Sequence, residues 1–85
     1  MNSQTIKALI DAGAIKSVSI IANGSTIHID IITRAGGSNT ASTLKGTIKT
    51  WRSIDSAAKW LRNLGIGNAK LDVSRWTPDQ QGLLL

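Results

Sequence analysis

The dipeptide Asn23-Gly24 lies between two runs of β-branched residues, and no other feature constrains the fold as strongly. The runs extend from Ile15 to Ala22 and from Ser25 to Thr33. Asn and Gly both tolerate the positive φ of a type I′ turn, so the pattern predicts a tight β-hairpin. That turn implies a register in which Ala22 faces Ser25, Ile20 faces Ile27 and Val18 faces Ile29.

The two faces of this predicted hairpin differ in polarity, because successive side chains of a strand point to opposite faces. The apolar face continues to Ile31 and is expected to form the core. The other face is mostly polar and comprises Ser17, Ser19, Ile21, His28, Asp30 and Ile32. We expect its two isoleucines, Ile21 and Ile32, to lie under a neighbouring segment or a partner subunit.

Two segments have apolar residues at helical spacing. The first predicts a short N-terminal helix from Thr5 to Ala14, with Ser3 or Thr5 as its N-cap and Gly13 near its end. The second predicts a helix over residues 54–64, because Ser53 is a good N-cap and Gly65 suits the position after the last turn. Within that helix, Asp55 and Lys59 are spaced to form an ion pair.

The remaining segments complete the predicted sheet. Residues 34–40 have the composition of a loop, and a third strand is expected from about Ala41 to Arg52. Residues 69–73 alternate as a fourth strand with Leu71 and Val73 inward. The sequence therefore predicts one small two-layer α+β domain over residues 1–85, with an antiparallel sheet of three to four strands packed against helix 54–64. Residues 1–4 and 83–85 are expected to be flexible or to pack against a partner.

Composition excludes several classes of protein. The chain has no cysteine and one histidine, so we expect no disulfide, no metal site and no cofactor. No apolar stretch approaches the roughly 20 residues that span a bilayer, and no signal-peptide pattern opens the chain, so the cytoplasm is expected. The net charge is +5 and arises within residues 34–62, where six Lys or Arg residues oppose Asp55 alone. Clustered positive charge is typical of polyanion binding, although small domains also carry such charge for solubility.

The predicted third strand concentrates this charge on one face. Leu44, Gly46 and Ile48 would point toward the helix, with Gly46 allowing the helix to approach closely. The opposite face would form a basic sheet surface carrying Lys45, Thr47, Lys49 and Trp51, flanked by Ser19, His28 and Asp30. Lysines would neutralise phosphate, and Trp51 would contact a base or sugar unless it covers the edge of the core. The candidate nucleic-acid-binding residues are Lys45, Lys49, Trp51, Arg52, Arg34, Lys59 and Arg62.

No catalytic constellation is recognisable, and we expect no enzymatic activity. His28, Asp30 and Ser19 would lie on open strands with no pocket or nucleophile elbow. Residues 34–40 contain glycines but lack the Gly-Lys-Ser/Thr of a phosphate-binding loop. Trp60 extends the apolar stripe of the second helix and is expected in the core or an interface, and Trp76 is expected to be structural.

Several segments together resemble the small ParC-type partition-associated proteins of plasmids and integrative elements. They are Ala12-Gly13-Ala14 after the opening helix, Trp51-Arg52-Ser53-Ile54-Asp55 before an Ala-rich helix, Leu64-Gly65-Ile66 at its end, and Leu71-Asp72-Val73. The resemblance covers most of the chain but consists mainly of helix caps and core positions. It implies a role in plasmid or mobile-element maintenance beside a partition ATPase and a centromere-binding protein, and it supplies no catalytic residues.

Two further resemblances concern fold alone. Strands followed by a helix resemble the DNA-arm-binding domains of tyrosine integrases, and the helix–strands–helix order resembles the double-stranded-RNA-binding domain. The second helix lacks the Lys-Lys-rich start of the latter module. The expected function is thus binding of DNA, duplex or single-stranded, by a basic accessory protein that forms a homodimer.

An alternative is a non-enzymatic dimerisation or adaptor module of a partition system that makes no contact with DNA. Its interaction surface would consist of apolar residues that lack an obvious place in the core. Those residues are Ile21, Ile32, Trp60, Trp76 and Leu83–Leu85.

Overall fold

The hairpin forms, but its turn lies one residue later than the sequence predicts. In the computed structural model, which describes residues 1–77, β1 spans Ile15–Gly24 and β2 spans Thr26–Thr33. Asn23 pairs with Thr26, so Gly24 and Ser25 occupy the turn. Gly24 has a φ of 63°, and Ser25, like every other non-glycine residue within 1–77, has no positive φ, which is the pattern of a type II′ rather than a type I′ turn.

This displacement of the turn moves every cross-strand pair by two residues. Ala22 pairs with Ile27, Ile20 with Ile29 and Val18 with Ile31. His28 lies opposite Ile21 rather than opposite Ser19 as predicted. Because the side-chain period is also two, the predicted apolar and polar faces survive the change of register.

Across residues 1–77 the sheet has four strands in the order β3-β2-β1-β4. β3 spans Ser38–Thr40, inside the predicted loop, and pairs antiparallel with β2, so the first three strands form an antiparallel meander. β4 spans Lys70–Trp76 and pairs parallel with β1, so the sheet is mixed rather than wholly antiparallel. Leu71 and Val73 are 52% and 44% exposed, so neither is buried in the core as predicted.

The predicted continuous strand from Ala41 to Arg52 is also wrong. Only isolated bridges occur there, one between Ser42 and Ile48 and one between Ile27 and Trp51. Leu44 and Ile48 are 73% and 62% exposed, so neither is buried beneath the helix as predicted. Gly46 adopts a φ of 90° in a turn, and a Cβ at this position would meet nothing within 4 Å, so it does not accommodate a helix.

The helices follow local capping signals. α1 spans Ser3–Asp11, and its N-cap is Asn2, whose side chain accepts from the Thr5 N–H, rather than Ser3 or Thr5. α2 spans Ile54–Leu64 with Ser53 as N-cap and Gly65 at φ 100° after its last turn, as predicted. The predicted Asp55–Lys59 ion pair is present at 3.1 Å.

The core lies between the sheet and the helices. α2 packs across β1 and β2, on the face that the hairpin pattern marks as apolar. The largest fully buried side chains are Ile6, Ile27, Ile29 and Ile31. The α+β architecture of a sheet backed by a helix is therefore confirmed. The first residues do not lie free, since the Met1 ammonium donates to the Thr40 carbonyl and the Ser42 hydroxyl at 3.1 and 2.9 Å.

The N-cap of α2 provides a test of this local reasoning. The Ser53 hydroxyl accepts from the Ser56 N–H at 3.1 Å and would be lost in Ser53→Ala. We expect Ser53→Ala to lower the free energy of unfolding by about 1 kcal/mol, measured by urea titration. Ser53→Asp is the matched control, because aspartate also caps, and its stability should stay close to that of the unsubstituted chain.

Candidate nucleic-acid interface

Residues 41–49 form a hairpin loop that leaves the β3 side of β2 after Ala41 and returns to it at Trp51. Ala41 donates to the Ile29 carbonyl at 2.8 Å, and Trp51 exchanges two backbone hydrogen bonds of 2.8 and 2.9 Å with Ile27. Between these anchors the chain turns back on itself, with Lys49 N–H donating to the Ala41 carbonyl and Thr43 N–H to the Thr47 carbonyl. We call this segment the 41–49 loop.

The tip of the 41–49 loop is a tight turn held by several bonds. Gly46 N–H donates to the Thr43 carbonyl at 2.9 Å, which closes a four-residue turn with glycine in its fourth position. The hydroxyls of Thr43 and Thr47 lie 2.8 Å apart in a hydrogen bond across the loop. Leu44 and Lys45 occupy the centre of this turn and are exposed. The loop therefore projects one apolar and one cationic side chain from a defined backbone.

Trp51 and Trp60 form the aromatic base of the site. Their ring centroids are 5.1 Å apart with an interplanar angle of 55°. Trp51 lies directly across from Ile27 and so points to the same side of the sheet, where α2 brings Trp60 against it. Both rings are partly buried against the core, which fits the interpretation of Trp51 as a residue at the core edge.

Lys49 is positioned over both aromatic rings. Its Nζ lies 5.5 Å from the Trp51 ring centroid and 5.9 Å from that of Trp60, within the range of cation–π attraction. Lys49 is half-buried, and the cation–π contacts favour this position of its ammonium over other rotamers. The ammonium thus marks the point where positive charge and aromatic surface meet.

An open cleft lies between the 41–49 loop, the start of α1 and α2. Its chemistry is mixed, with two ammonium groups, four hydroxyls and one aromatic wall. Such a surface can neutralise an anion and can pack against a flat ring. The lining residues are Ser3, Ser42, Thr43, Leu44, Lys45, Thr47, Lys49 and Trp60. We refer to it as the loop cleft.

Of the seven predicted site residues, Lys45, Lys49 and Trp51 are brought together at or beneath the loop cleft. They do not form the predicted basic sheet surface with Ser19, His28 and Asp30. Those three residues lie on the face of the sheet away from α2, which we call the outer face. There Asp30 accepts from the Thr40 hydroxyl at 3.0 Å and lies 3.8 Å from the His28 ring. The basic surface is therefore on the helix side of the sheet.

The other four predicted residues lie outside the loop cleft. Arg34 donates from Nε to the Gly13 carbonyl at 2.8 Å. Arg62 lines a different groove between α2 and the segment before β4. Lys59 is exposed and paired with Asp55, and Arg52 is exposed just before the N-cap of α2. The structure does not assemble these four with the lysines of the cleft.

Two features of the site differ from what the sequence predicts. Trp60 is expected in the core or an interface, and it does pack on the core, but it also forms a wall of the loop cleft. Leu44 and Ile48 were assigned inward and are exposed. The sequence does contain a signal for the loop, since Gly46 follows Leu44-Lys45 between two threonines and fits the last position of a turn.

Nothing among the described residues adds a second kind of site to this cleft. Within residues 1–77, no helix has the length and apolar character needed to cross a membrane. In the same part of the chain, no three His, Cys, Asp or Glu residues are grouped so that they could hold a metal ion. The predicted interaction residues Leu83–Leu85 lie outside the described residues.

The fold and the cleft define a small α+β domain with a basic, aromatic-walled surface. Comparison with protein-family models, with curated proteins and with solved structures finds no match to this chain.

Proposed function

We propose that this protein is a small basic nucleic-acid-binding accessory protein, and that the loop cleft binds the phosphate backbone of DNA. The observation that carries the proposal is the Lys49 ammonium, held 5.5 and 5.9 Å above two tryptophan rings, with Lys45 on the same cleft wall. Charge and aromatic surface together suit a ligand that is anionic and has flat rings, which is the chemistry of a polynucleotide.

The remaining parts of the cleft fit the same ligand. Lys45 and Lys49 would neutralise phosphate, and the loop hydroxyls would donate to phosphate oxygens or sugar. Trp60 would stack on an unpaired base, whereas Trp51, fixed by two backbone bonds to Ile27, would support it from below. Arg52, exposed just before the α2 N-cap, and Lys59, exposed on α2 and paired with Asp55, would extend the positive field, and Arg34 and Arg62 would contribute only at longer range.

We place this activity in plasmid or mobile-element maintenance and partition, within the cytoplasm, on the resemblance to ParC-type proteins. That resemblance rests on caps and core positions such as Ser53, Gly65 and Ala57. A partition ATPase and a centromere-binding protein are the partners it implies. No enzymatic step is proposed.

The exposed apolar residues of the loop favour a second candidate function. Leu44 and Ile48 are 73% and 62% exposed beside the cleft, and such residues often mark a protein interface. In this alternative the protein is an adaptor of a partition system, and the 41–49 loop contacts a protein partner without touching DNA.

A salt titration separates the two functions. Binding of labelled duplex and single-stranded oligonucleotides is followed by fluorescence anisotropy over a series of KCl concentrations. We expect the logarithm of the binding constant to fall linearly with the logarithm of salt, by about 0.9 per phosphate contact for duplex and about 0.7 for a single strand. Absence of binding to both oligonucleotides at the lowest salt would contradict the proposal and leave the adaptor function.

A further inference from the structure

The outer edge of β4 has no strand beside it among the described residues. β4 is the last strand in the order β3-β2-β1-β4, and all seven of its residues are exposed. A free strand edge presents unpaired backbone N–H and C=O groups and is a template for pairing with another chain. The side chains of β4 indicate which chain would fit.

A bulge places the two opposite charges of β4 on one face. Ile21 of β1 pairs with Asp72 of β4, and Asn23 pairs with Arg75. Asp72 and Arg75 are three residues apart whereas their partners are two apart, so β4 contains one extra residue between them. In a regular strand, residues three apart lie on opposite faces, but here both share the outer face. Asp72 and Arg75 accordingly line one groove together with Ile21 and His28.

The apolar residues that flank this pair lie on the other face. Leu71 pairs with Ile20, which points toward α2, and Trp76 pairs with Gly24. α2 packs mainly on β1 and β2, and Leu71 and Trp76 remain 52% and 39% exposed. Two pairs of residues are thus placed symmetrically about the Val73–Ser74 peptide. Asp72 and Arg75 form the pair on the outer face, and Leu71 and Trp76 form the pair on the other face.

This arrangement is self-complementary. If a second β4 runs antiparallel with a two-fold axis at the Val73–Ser74 peptide, Asp72 lies opposite Arg75 of the second copy, and Leu71 lies opposite its Trp76. The bulge is what allows this pairing, because directly opposed residues must share a face. Each contact occurs twice, giving two opposite-charge pairs on one face and two apolar pairs on the other.

We propose that the protein forms a homodimer through antiparallel pairing of the two β4 edges, which joins the two sheets into one continuous eight-stranded sheet. The partner is a second copy of this chain, specified by Asp72, Arg75, Leu71 and Trp76. The inference does not depend on DNA binding, and its test contains no nucleic acid.

Asp72 is already oriented for such a contact. The Ser74 N–H and hydroxyl both donate to Asp72 Oδ1, at 3.0 and 2.7 Å, which leaves Oδ2 for a cation. These bonds, with a smaller contribution from Arg75, lower the pKa of Asp72 below its usual value. The carboxylate is therefore charged at neutral pH and stays charged to a lower pH than an ordinary aspartate.

A second register has to be distinguished from this one. Shifting the two-fold axis to Leu71 would place Lys70 opposite Asp72 of the other copy, but it would leave Arg75 and Trp76 without partners. The register centred on Val73–Ser74 uses the whole strand, and it places Lys70 opposite the neutral Thr77. Replacement of Lys70 thus tells the two registers apart.

The test measures association by sedimentation equilibrium of the full chain. We expect the unsubstituted chain to dimerise, and Asp72→Arg and Arg75→Asp each to raise the dimer dissociation constant roughly tenfold or more, since both charge pairs become repulsive. An equimolar mixture of these two variants should dimerise again, because every opposed pair is then of opposite sign. Lys70→Glu, a charge change of the same size as Arg75→Asp, should leave dimerisation unchanged.

Circular dichroism shows whether each variant is folded, and Arg75→Asp keeps the Ser74–Asp72 bonds that Asp72→Arg removes. A full-length chain that is monomeric at every concentration would overturn the proposal. Dimerisation that persists in both single variants, or a mixture that fails to associate, would overturn it as well. Dissociation by Lys70→Glu with no effect of Arg75→Asp would rule out the register.

Discussion

Replacing Ile29 by alanine is expected to lower the free energy of unfolding by about 2–5 kcal/mol, the range for a buried isoleucine truncated in a close-packed core. Ile29 is 0% exposed, sits in the centre of β2 and pairs with Ile20. A domain of this size has a total stability of roughly 4–13 kcal/mol, so this one substitution removes a large part of it. Urea unfolding followed by circular dichroism measures the change.

Ile48→Ala is the matched control, because it deletes the same atoms at a residue that is 62% exposed. We expect its free energy of unfolding to change by no more than about 0.5 kcal/mol, as for other surface substitutions. The alternation of the sequence assigns Ile48 to the core and the structure assigns it to an exposed loop. A loss of unfolding free energy in Ile48→Ala as large as that in Ile29→Ala would contradict the exposed position of Ile48.

These two isoleucines show where sequence reasoning works and where it fails. The hairpin and α2 could be predicted because their signals are local: a glycine at the turn, β-branched runs on either side, and caps at Ser53 and Gly65. The predicted register of the hairpin is wrong by two residues, because the sequence Asn23-Gly24-Ser25 allows two positions for the turn. Period-two alternation preserved the faces despite that error.

The prediction of a third strand from Ala41 to Arg52 is wrong for a different reason. Leu44 to Ile48 alternates in polarity, and alternation alone cannot separate a strand from a hairpin loop whose two arms are short. The deciding contacts are non-local, since β2 takes its edge partners from residues 38–41 and again from Trp51. The parallel pairing of β4 with β1 is equally a tertiary property, because no short turn links the two strands.

Part of the candidate site was accessible from sequence because charge clusters in the middle of the chain. Lys45, Lys49 and Trp51 were found by their proximity along the chain, and they remain near one another in the fold. Trp60 was not assigned to the site, because helical spacing cannot tell a core tryptophan from one that also walls a cleft. Arg34 and Arg62 were included by charge alone and lie elsewhere.

The double substitution Lys45→Ala with Lys49→Ala is expected to reduce DNA affinity about 60-fold at 0.1 M salt, because two lost phosphate contacts remove about 1.8 from the salt slope for duplex. Lys16→Ala with Lys70→Ala is the matched control: it removes the same charge from a separate groove beside β1 and β4. If binding depends only on net charge, both variants lose affinity equally and the loop cleft is not the site. A loss confined to the first variant, in protein that unfolds at the same temperature as the control, would locate binding at the 41–49 loop, because the two variants differ only in where the charge was removed.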